Sequence, residues 1–138
     1  LKKIINQSRK NKKRSVLLGY TSIKKKRDLF NRNIPKVVFD KNENLLYASR
    51  SAIPYSKKPS SKSWRQVLTY SFPRKALLEY AKLKKKSFFE NLEDIEILRF
   101  LELGINVKLI KMSSKSHPVD TIKDLNYVKA YLTKLKKK

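Results

Sequence analysis

The stretch ENLEDIEILRFLELGINVKLIKM, residues 90–112, predicts the fold class of this 138-residue chain. Asn91 is placed to cap a helix, Glu93 and Asp94 fall in the first turn, where the helix dipole favours acids, and Gly104 is placed to end it. Apolar residues recur along one face of this helix: Leu92, Ile95, Ile97, Leu98, Phe100 and Leu101. INVKLIKM (105–112) predicts a strand, and a helix followed by a strand indicates an α/β protein.

The residues upstream of this stretch predict further strands and a helix. KVVFDKNENLLYASR (36–50) predicts a β-hairpin whose turn lies at KNEN (41–44). WRQVLTYSF (64–72) predicts the next strand because it alternates and is rich in β-branched and aromatic residues. Pro73 is placed to begin a helix over RKALLEYAKL (74–83).

The two ends of the chain complete the pattern. SVLLGY (15–20) indicates a strand that ends at Gly19, and residues 23–33 indicate a helical turn. Thr121 and Asp124 form a capping box for a last helix. From residue 35 onward the order is β-β-β-α-α-β-α, which favours an α/β architecture of a sheet with flanking helices.

Composition divides the chain into three segments. Residues 1–33 form a basic, partly helical lead-in, residues 34–133 carry the predicted sheet and helices, and residues 134–138 are a Lys-rich tail. The segment SAIPYSKKPSSKS (51–63) is a loop by composition. The chain opens on Leu1 without an initiator Met, which we expect of a fragment or a truncated reading frame.

The net charge of +24 permits two interpretations. The first is binding to a polyanion, which makes a small basic nucleic-acid- or ribosome-binding protein an alternative function. The second is codon bias in an AT-rich genome, since 27 of the 35 basic residues are Lys and nine Asn accompany them. We favour bias, because specific readers of phosphates and bases rely on Arg, and few aromatics stand beside the Lys runs.

The residue types that are rare or absent exclude several kinds of chemistry. The chain has no Cys and one His, so disulfides, thiolate nucleophiles and His-pair metal sites are excluded. That residue, His117, is predicted to be a solvated loop residue. With two Gly there is no Gly-rich phosphate loop, and no apolar run is long enough for a membrane span.

The acids of this basic chain are concentrated in one place. Five of the eleven Asp and Glu fall within residues 90–104. We expect Glu102 to pair with Arg99 one helical turn earlier. Asp120, just before the last helix, either caps that helix or is a hard-metal ligand at a strand end, and composition alone favours the cap.

Four blocks in this order resemble those of CMP-Kdo synthetase, the 3-deoxy-manno-octulosonate cytidylyltransferase family: KVVFDKNENLLYASRSAIPY (36–55), WRQVLTYSFPRKALLEY (64–80), ENLEDIEILRFLELGINVKLIKM (90–112) and VDTIKDL (119–125). The resemblance covers roughly residues 34–130. It implies a Rossmann-like α/β nucleotidyltransferase sheet, and a reaction in which CTP and the acidic sugar Kdo give CMP-Kdo and pyrophosphate for lipopolysaccharide synthesis. It also implies a cytoplasmic, Mg²⁺-dependent homodimer.

The resemblance also shows what the chain lacks. Nothing in it matches the family's N-terminal loop that binds the CTP phosphates, or its Gly-Asp-Glu-Pro-like metal block. We therefore expect residues 34–133 to be the C-terminal half of a cytidylyltransferase domain, residues 1–33 to belong to the middle of that domain, and the chain alone to be inactive. A non-catalytic remnant retained for dimerisation is a third possibility.

The family's site residues carry over one at a time. Arg50 matches the Arg of the SR-x-x-IP block at the sugar site, and Gln66 and Tyr70 match sugar-contacting positions on the following strand. Glu96 matches a Glu that binds sugar hydroxyls, although Ile97 stands where the family often has Gln. Asp120 matches the Asp of the VDT block, a Mg²⁺ ligand.

Overall fold

The computed structural model describes residues 2–11, 15–57, 62–113, 119 and 122–136, with the side chains at 123 and 134–136 excepted. In this part of the chain the helices are α1 (Lys2–Lys10), α2 (Lys26–Phe30), α3 (Arg74–Lys82), α4 (Phe88–Glu93), α5 (Ile97–Glu102) and α6 (Ile122–Lys136). The strands are β1 (Val16–Ser22), β2 (Lys36–Phe39), β3 (Leu45–Ser49), β4 (Trp64–Ser71) and β5 (Val107–Lys111). Predictions made for His117, Asp120, Thr121 and the end of the Lys-rich tail fall outside the described residues.

The strands form one mixed sheet in the order β3-β2-β4-β1-β5. β1 pairs in parallel with β5 and antiparallel with β4, while β2 pairs antiparallel with both β3 and β4. The flanking helices complete an α/β fold, so the predicted fold class is confirmed. The predicted hairpin is also confirmed, as the β2–β3 pair.

β1 runs past the point where the sequence predicted its end. It continues to Ser22, so the prediction that Gly19 ends the strand is wrong. A Cβ atom at Gly19 would lie 3.1 Å from both the carbonyl oxygen of Val67 and Cγ of Met112. Glycine at this position therefore permits close approach of β4 and of the residue after β5.

The β2–β3 hairpin follows β4 for only a short distance. Its pairing with β4 consists of Lys36 opposite Arg65 and Val37 opposite Trp64. The hairpin turn instead reaches β5, where the carbonyl oxygen of Glu43 accepts a hydrogen bond of 2.7 Å from the N–H of Leu109. The hairpin therefore connects two strands that are separated by β1 in the sheet.

Alternating residues of the central strands are buried on the two faces of the sheet. The smaller core lies beneath α1 and contains Ile4, Leu17 and Ile110, with Met112 against it. The larger core joins the other face to α3, α5 and the residues between α4 and α5. Its buried members are Val16, Leu18, Tyr20, Val37, Leu45, Ala48, Ala76, Ile95, Ile97, Leu98, Phe100, Val107 and Leu109.

The prediction of a single helix from Asn91 to Gly104 is wrong. The chain forms two short helices there, because Asp94 takes a left-handed conformation with φ of 53° and ends α4. The predicted end at Gly104 is confirmed, since its φ is 70° and the N–H of Ile105 bonds to the carbonyl of Phe100 at 2.8 Å. The break turns the chain so that both Ile95 and Ile97 enter the core.

The first of these helices is capped by a residue other than the predicted Asn91. Ser87 is the N-cap of α4, and it forms a capping box with Glu90. Glu93 and Asp94 consequently lie at the carboxyl end of α4, so the dipole explanation for these two acids is wrong.

The helices were also compared with the requirements of a membrane-spanning helix. Within the described residues, no helix combines the length and the apolar character that crossing a bilayer requires.

Candidate substrate site

The junction of α4 and α5 is held by a buried ion pair between Glu90 and Arg99. The two residues are 1% and 7% exposed, and Arg99 Nε donates a hydrogen bond to Glu90 Oε2. Tyr80 adds a hydrogen bond of 3.2 Å to Glu90 Oε1, and Arg99 Cζ lies 4.0 Å from the centre of the Tyr80 ring. The predicted pairing of Arg99 with Glu102 is therefore wrong.

Glu102 has a different role from the predicted one. Its carboxylate accepts hydrogen bonds from the hydroxyl of Ser87 and from the N–H of Phe89 at 3.1 Å. Burial alone would raise the pKa of Glu102, but these hydrogen bonds, with those from Glu90 and Phe88, lower it below its usual 4.5. Glu102 thus satisfies the free N–H groups at the start of α4 from the end of α5.

Arg50 lies at the end of β3 and is bound to the end of α4. Its Nε donates to the carbonyl oxygen of Glu93 at 2.7 Å, and Nη2 donates to that of Asp94 at 3.0 Å. In return the Glu93 carboxylate accepts from the Arg50 N–H at 2.8 Å and from the Ser49 hydroxyl at 2.6 Å. These contacts fix the position of the α4–α5 junction relative to the sheet.

Lys36 is a buried cation that no pattern in the sequence predicted. It is 0% exposed, and Nζ donates hydrogen bonds to the carbonyl oxygens of Asn31 and Arg50. Burial lowers the pKa of Lys36, the carboxylate of Glu93 opposes that shift, and the charge of Arg50 adds to it. Lys36 therefore supports the backbone of the Arg50 segment from within the protein.

Gln66, Tyr70 and Glu96 form the second group of predicted site residues. Gln66 Nε2 donates a hydrogen bond to the hydroxyl of Tyr70, four residues later on β4. Gln66 is 4% exposed, and its Oε1 atom has no hydrogen-bond partner among the described residues. A buried amide oxygen without a partner is costly, so it is a candidate acceptor for a ligand hydroxyl.

The charge of Glu96, in the α4–α5 junction, affects the pKa of Tyr70. Burial and then the charge of Glu96 raise the pKa of Tyr70 to about 12, with the hydrogen bond from Gln66 acting in the opposite direction. The Tyr70 hydroxyl therefore keeps its proton at neutral pH and can both donate and accept. Glu96 is exposed, which leaves its carboxylate accessible.

The structure thus brings four of the five predicted site residues to the surroundings of one helix junction. Tyr70 accepts a hydrogen bond from Gln66 and is within electrostatic range of Glu96, and Arg50 contacts the same junction through Asp94. Sequence reasoning missed Glu93, which positions Arg50 from 43 residues away, and no local pattern identifies it. The only available signal was the excess of acids in residues 90–104.

The metal site implied by the resemblance is not supported by the described residues. Among them, no group of three or more His, Cys, Asp or Glu side chains could hold a metal ion. The predicted ligand Asp120 lies outside that part of the chain. The described residues alone therefore do not form a Mg²⁺ site, and we derive no step through the metal.

A basic groove lies on the α1 side of the sheet. Its volume is about 770 Å³, and Lys3, Lys10, Lys108 and Lys111 line it together with Asn and Ser residues. Two of these lysines are already engaged, since Lys3 Nζ bonds to the carbonyl oxygen of Lys111 at 2.6 Å and Lys108 Nζ bonds to that of Asn42. Four of the thirteen lining residues are lysines and one, Glu43, is an acid, so the groove carries a net positive charge of the kind that attracts anions without selectivity.

Fold and polar cluster together define an α/β domain with a cluster of polar side chains where β4 meets the α4–α5 junction. Comparison with known families matches residues 1–129 to the family described as Cytidylyltransferase. The chain belongs to the cytidylyltransferase family. The match extends beyond the predicted limits of 34–130 and includes the basic lead-in with β1.

Individual relatives agree with this assignment. The chain is 43% identical over 108 residues to the 3-deoxy-manno-octulosonate cytidylyltransferase of Chloroherpeton thalassium, covering 77% of this chain and 44% of the relative. It is 40% identical over 98 residues to the enzyme of the same name from Chlamydia felis, covering 71% and 38%.

A solved structure shows the same fold. That structure is the CMP:2-keto-3-deoxy-manno-octonic acid synthetase complexed with CTP, which matches with a TM-score of 0.85 and 27% identity over 94% of this chain and 54% of that one. The chain thus spans about half the length of the proteins it matches.

Proposed function

We propose that this chain is the sugar-binding part of a 3-deoxy-manno-octulosonate cytidylyltransferase, which joins CTP and Kdo to give CMP-Kdo and pyrophosphate in lipopolysaccharide precursor synthesis. The observation that carries the proposal is the Gln66–Tyr70–Glu96 cluster. It presents an unpartnered buried acceptor, a protonated hydroxyl and an accessible carboxylate. Such a set suits a ligand with several hydroxyl groups, because each hydroxyl both donates and accepts.

Arg50 is proposed to act on the acidic group of the sugar. Its guanidinium bonds to the carbonyl oxygens of Arg32, Glu93 and Asp94. These are three of the five hydrogen bonds that a guanidinium can donate. Nη2 also lies 3.7 Å from Oδ2 of Asp94, and the two remaining N–H groups are proposed to bind the carboxylate of the sugar. The carbonyl contacts would also hold the group in place before the substrate binds.

We further propose that the chain corresponds to the C-terminal half of the family's domain and does not turn over alone. Support comes from its two Gly, which exclude a Gly-rich loop around the CTP phosphates. In the proposed reaction the anomeric oxygen of the sugar forms a bond to the α-phosphorus of CTP, the bond to pyrophosphate breaks, and the sugar hydroxyl loses its proton. Gln66, Tyr70, Glu96 and Arg50 would orient the sugar for that attack.

Mg²⁺ is proposed as the cofactor, with Asp120 as one of its ligands. When bound it would stabilise negative charge on the phosphate groups. Asp120→Asn keeps the size of the side chain and its capacity to cap a helix, but removes the charge that a hard cation prefers. We expect this variant to lose turnover in a completed enzyme without a lower melting temperature. A lower melting temperature with unchanged activity per folded molecule would instead identify Asp120 as a cap.

The experiment for the proposed function uses pyrophosphate release. The purified chain with CTP, Kdo and Mg²⁺ should release none. A single polypeptide in which the N-terminal part of the Chloroherpeton thalassium enzyme precedes this chain should release it, whereas a fusion to that enzyme's C-terminal part should not. Turnover by the chain alone, or by the second fusion only, would show that the assignment to the C-terminal half is wrong.

The oligomeric state and location are proposed from the family, and polyanion binding is proposed from the net charge. We propose a homodimer located in the cytoplasm when the domain is complete. We also propose weak polyanion binding without selectivity, supported by the lysines of the basic groove.

A further inference from the structure

The basic groove is built from three distant parts of the chain. Leu17 of β1 and Ile110 of β5 form its floor, and residues 42–44 of the hairpin turn form one wall. The other wall comes from side chains that recur every three or four residues along α1 and just beyond it, and so share one face: Lys3, Gln7, Lys10 and Asn11. The groove is therefore a cleft shaped by the fold, in which lysines from separate elements converge.

The protein itself does not neutralise the positive charge of this groove. None of the ion pairs among the described residues involves any of its four lysines. The acid in the lining, Glu43, accepts a hydrogen bond of 2.8 Å from the hydroxyl of Tyr20. Asp40, in the same hairpin, accepts hydrogen bonds of 2.8 Å from the N–H and the side-chain amide of Asn44. The surplus of positive charge is thus available to an anion.

Two of the four lysines are held in place by backbone carbonyl groups. Lys3 Nζ donates to the carbonyl oxygen of Lys111 at 2.6 Å, and Lys108 Nζ donates to that of Asn42. An ammonium group has three N–H donors, so each of these two lysines keeps two donors for a ligand. Because both side chains are already positioned, they lose less conformational freedom when a ligand binds.

The lining residues indicate which part of a ligand the groove can recognise. None of them is aromatic, so the groove offers no surface on which a nucleic-acid base could stack. The two apolar lining residues, Leu17 and Ile110, are 2% and 7% exposed, so they offer almost no apolar surface to a lipid chain. Ammonium, amide and hydroxyl groups remain, and these bind phosphate oxygens.

The dimensions of the groove favour a single chain of phosphates over a double helix. Lys3 and Lys10 are seven residues apart, which is about 10 Å along α1. A groove of that length and about 770 Å³ has a mean width of about 9 Å. The major groove of B-DNA alone is about 12 Å wide, so a duplex is too broad to enter. The net charge attracts any anion, whereas the shape admits only a narrow one.

We propose that the groove between α1 and the hairpin turn binds linear inorganic polyphosphate. Such a chain carries negative charge along its whole length and has neither bases nor lipid tails, which matches the lining. The site lies on the α1 face of the sheet, whereas Tyr70 of the sugar-binding cluster packs against the larger core on the other face. The inference therefore goes beyond the proposed function and does not depend on it.

The first experiment titrates this chain with tripolyphosphate by calorimetry, in metal-free buffer at physiological salt. We expect one tripolyphosphate to bind per chain. A variant that combines Lys3→Gln, Lys10→Gln and Lys111→Gln should bind at least about tenfold more weakly, because charge-assisted hydrogen bonds are lost. All three side chains are exposed, so this variant should keep the parent's melting temperature.

The matched control removes three lysines outside the groove. Lys26→Gln, Lys75→Gln and Lys84→Gln are combined in one variant, and these side chains are also exposed. Both triple variants lose the same charge, so net charge alone predicts equal weakening. The groove predicts that the control changes affinity by less than about twofold.

A second measurement uses the unmodified chain and so does not depend on how the variants fold. Lysine acetylation is followed by mass spectrometry with and without saturating tripolyphosphate. The three groove lysines should be acetylated several times more slowly in its presence, whereas the three control lysines should react at unchanged rates.

Two further probes identify the class of ligand. Single-stranded oligouridylate with the same number of phosphates and vesicles containing phosphatidylglycerol are titrated in parallel. Tighter binding of the oligouridylate would assign the groove to RNA, and tighter binding of the vesicles would assign it to a membrane surface. Either result would overturn the inference. Equal weakening in the two triple variants, equal protection of all six lysines, or no binding of tripolyphosphate would also overturn it. Pyrophosphate release by the fused polypeptide is measured separately, so failure here leaves the proposed function standing.

Discussion

Replacing Glu90 with Gln should destabilise the protein by about 3 kcal/mol. The side chains of Glu90 and Arg99 are 2% and 8% exposed, so the substitution leaves the Arg99 cation buried without a counter-charge. Removing one partner of a buried pair costs about 3–5 kcal/mol. Gln keeps one acceptor oxygen for Arg99 or for the Ser87 N–H, which places the expected loss at the lower end of that range.

The assay is urea unfolding followed through the fluorescence of Trp64, the single Trp of the chain. Its ring packs edge-on against Phe39 at 4.8 Å between centres, so its emission should report loss of the core. For a domain of this size, about 3 kcal/mol corresponds to a fall of about 10 °C in melting temperature. The dependence on urea concentration should stay unchanged if the native fold is kept.

Glu79→Gln is the control for the loss of a carboxylate as such. Glu79 bonds to Lys82 at 2.9 Å, but the two side chains are 39% and 69% exposed, so this change should cost less than about 1 kcal/mol. The double variant Glu90→Leu with Arg99→Met should be more stable than Glu90→Gln, because no buried charge is left alone. If Glu90→Gln matched Glu79→Gln within about 0.5 kcal/mol, the buried pair would not be holding the α4–α5 junction.

Three further changes have expected outcomes. Because hydrogen bonds lower the pKa of Glu102 below 4.5, its contribution to stability is present above that pH and is lost as the pH falls through the lowered value. The advantage of the parent over Glu102→Gln in urea unfolding should therefore shrink below about pH 4.5, and a constant difference would contradict this. In the fused enzyme Tyr70→Phe should raise KM for Kdo by about tenfold and leave KM for CTP unchanged, whereas Tyr55→Phe, at a position 87% exposed, should change neither. Binding to labelled duplexes of unrelated sequence should weaken steeply with salt, and a preference above about a hundredfold for one sequence at physiological salt would point to specific recognition.

Periodicity was sufficient to predict most elements of the fold. Residues 36–50 alternate around a polar turn and form the β2–β3 hairpin. The helical spacing of residues 92–101 predicted the buried residues from Ile95 onward, but Leu92 is 65% exposed. The order of the strands in the sheet was not predictable, since β1 lies between β4 and β5 for reasons of long-range packing. The break at Asp94 was missed for a related reason, because the contacts that hold it come from Arg50, 44 residues earlier.

At the candidate site, too, contacts within one strand or helix were predictable from the sequence, whereas contacts between different elements were not. Gln66 and Tyr70 are four residues apart on a strand, so the two-residue period places them on one face, and a hydrogen bond joins them. The pairing of Arg99 was predicted wrongly because spacing along a helix favours Glu102, whereas burial favours Glu90. Spacing along the sequence identifies only partners within one helix. Because the chain breaks between α4 and α5, Glu90, the actual partner of Arg99, lies on a different helix.

The β2–β3 hairpin pairs with β4 and its turn contacts β5. This contact between distant parts of the chain determines when the chain can fold during synthesis. Asn106, just before β5, bonds to Ser15, 91 positions earlier, and to Asn44, 62 positions earlier. Neither contact can form until nearly all of the chain has left the ribosome, and such distant pairings are slow to form. Until β5 emerges, β1 and the hairpin turn lack their partner strand and are open to wrong association. Expression at a lower temperature, which slows association of the waiting strands, should therefore increase the soluble yield more than changes at the exposed lysines.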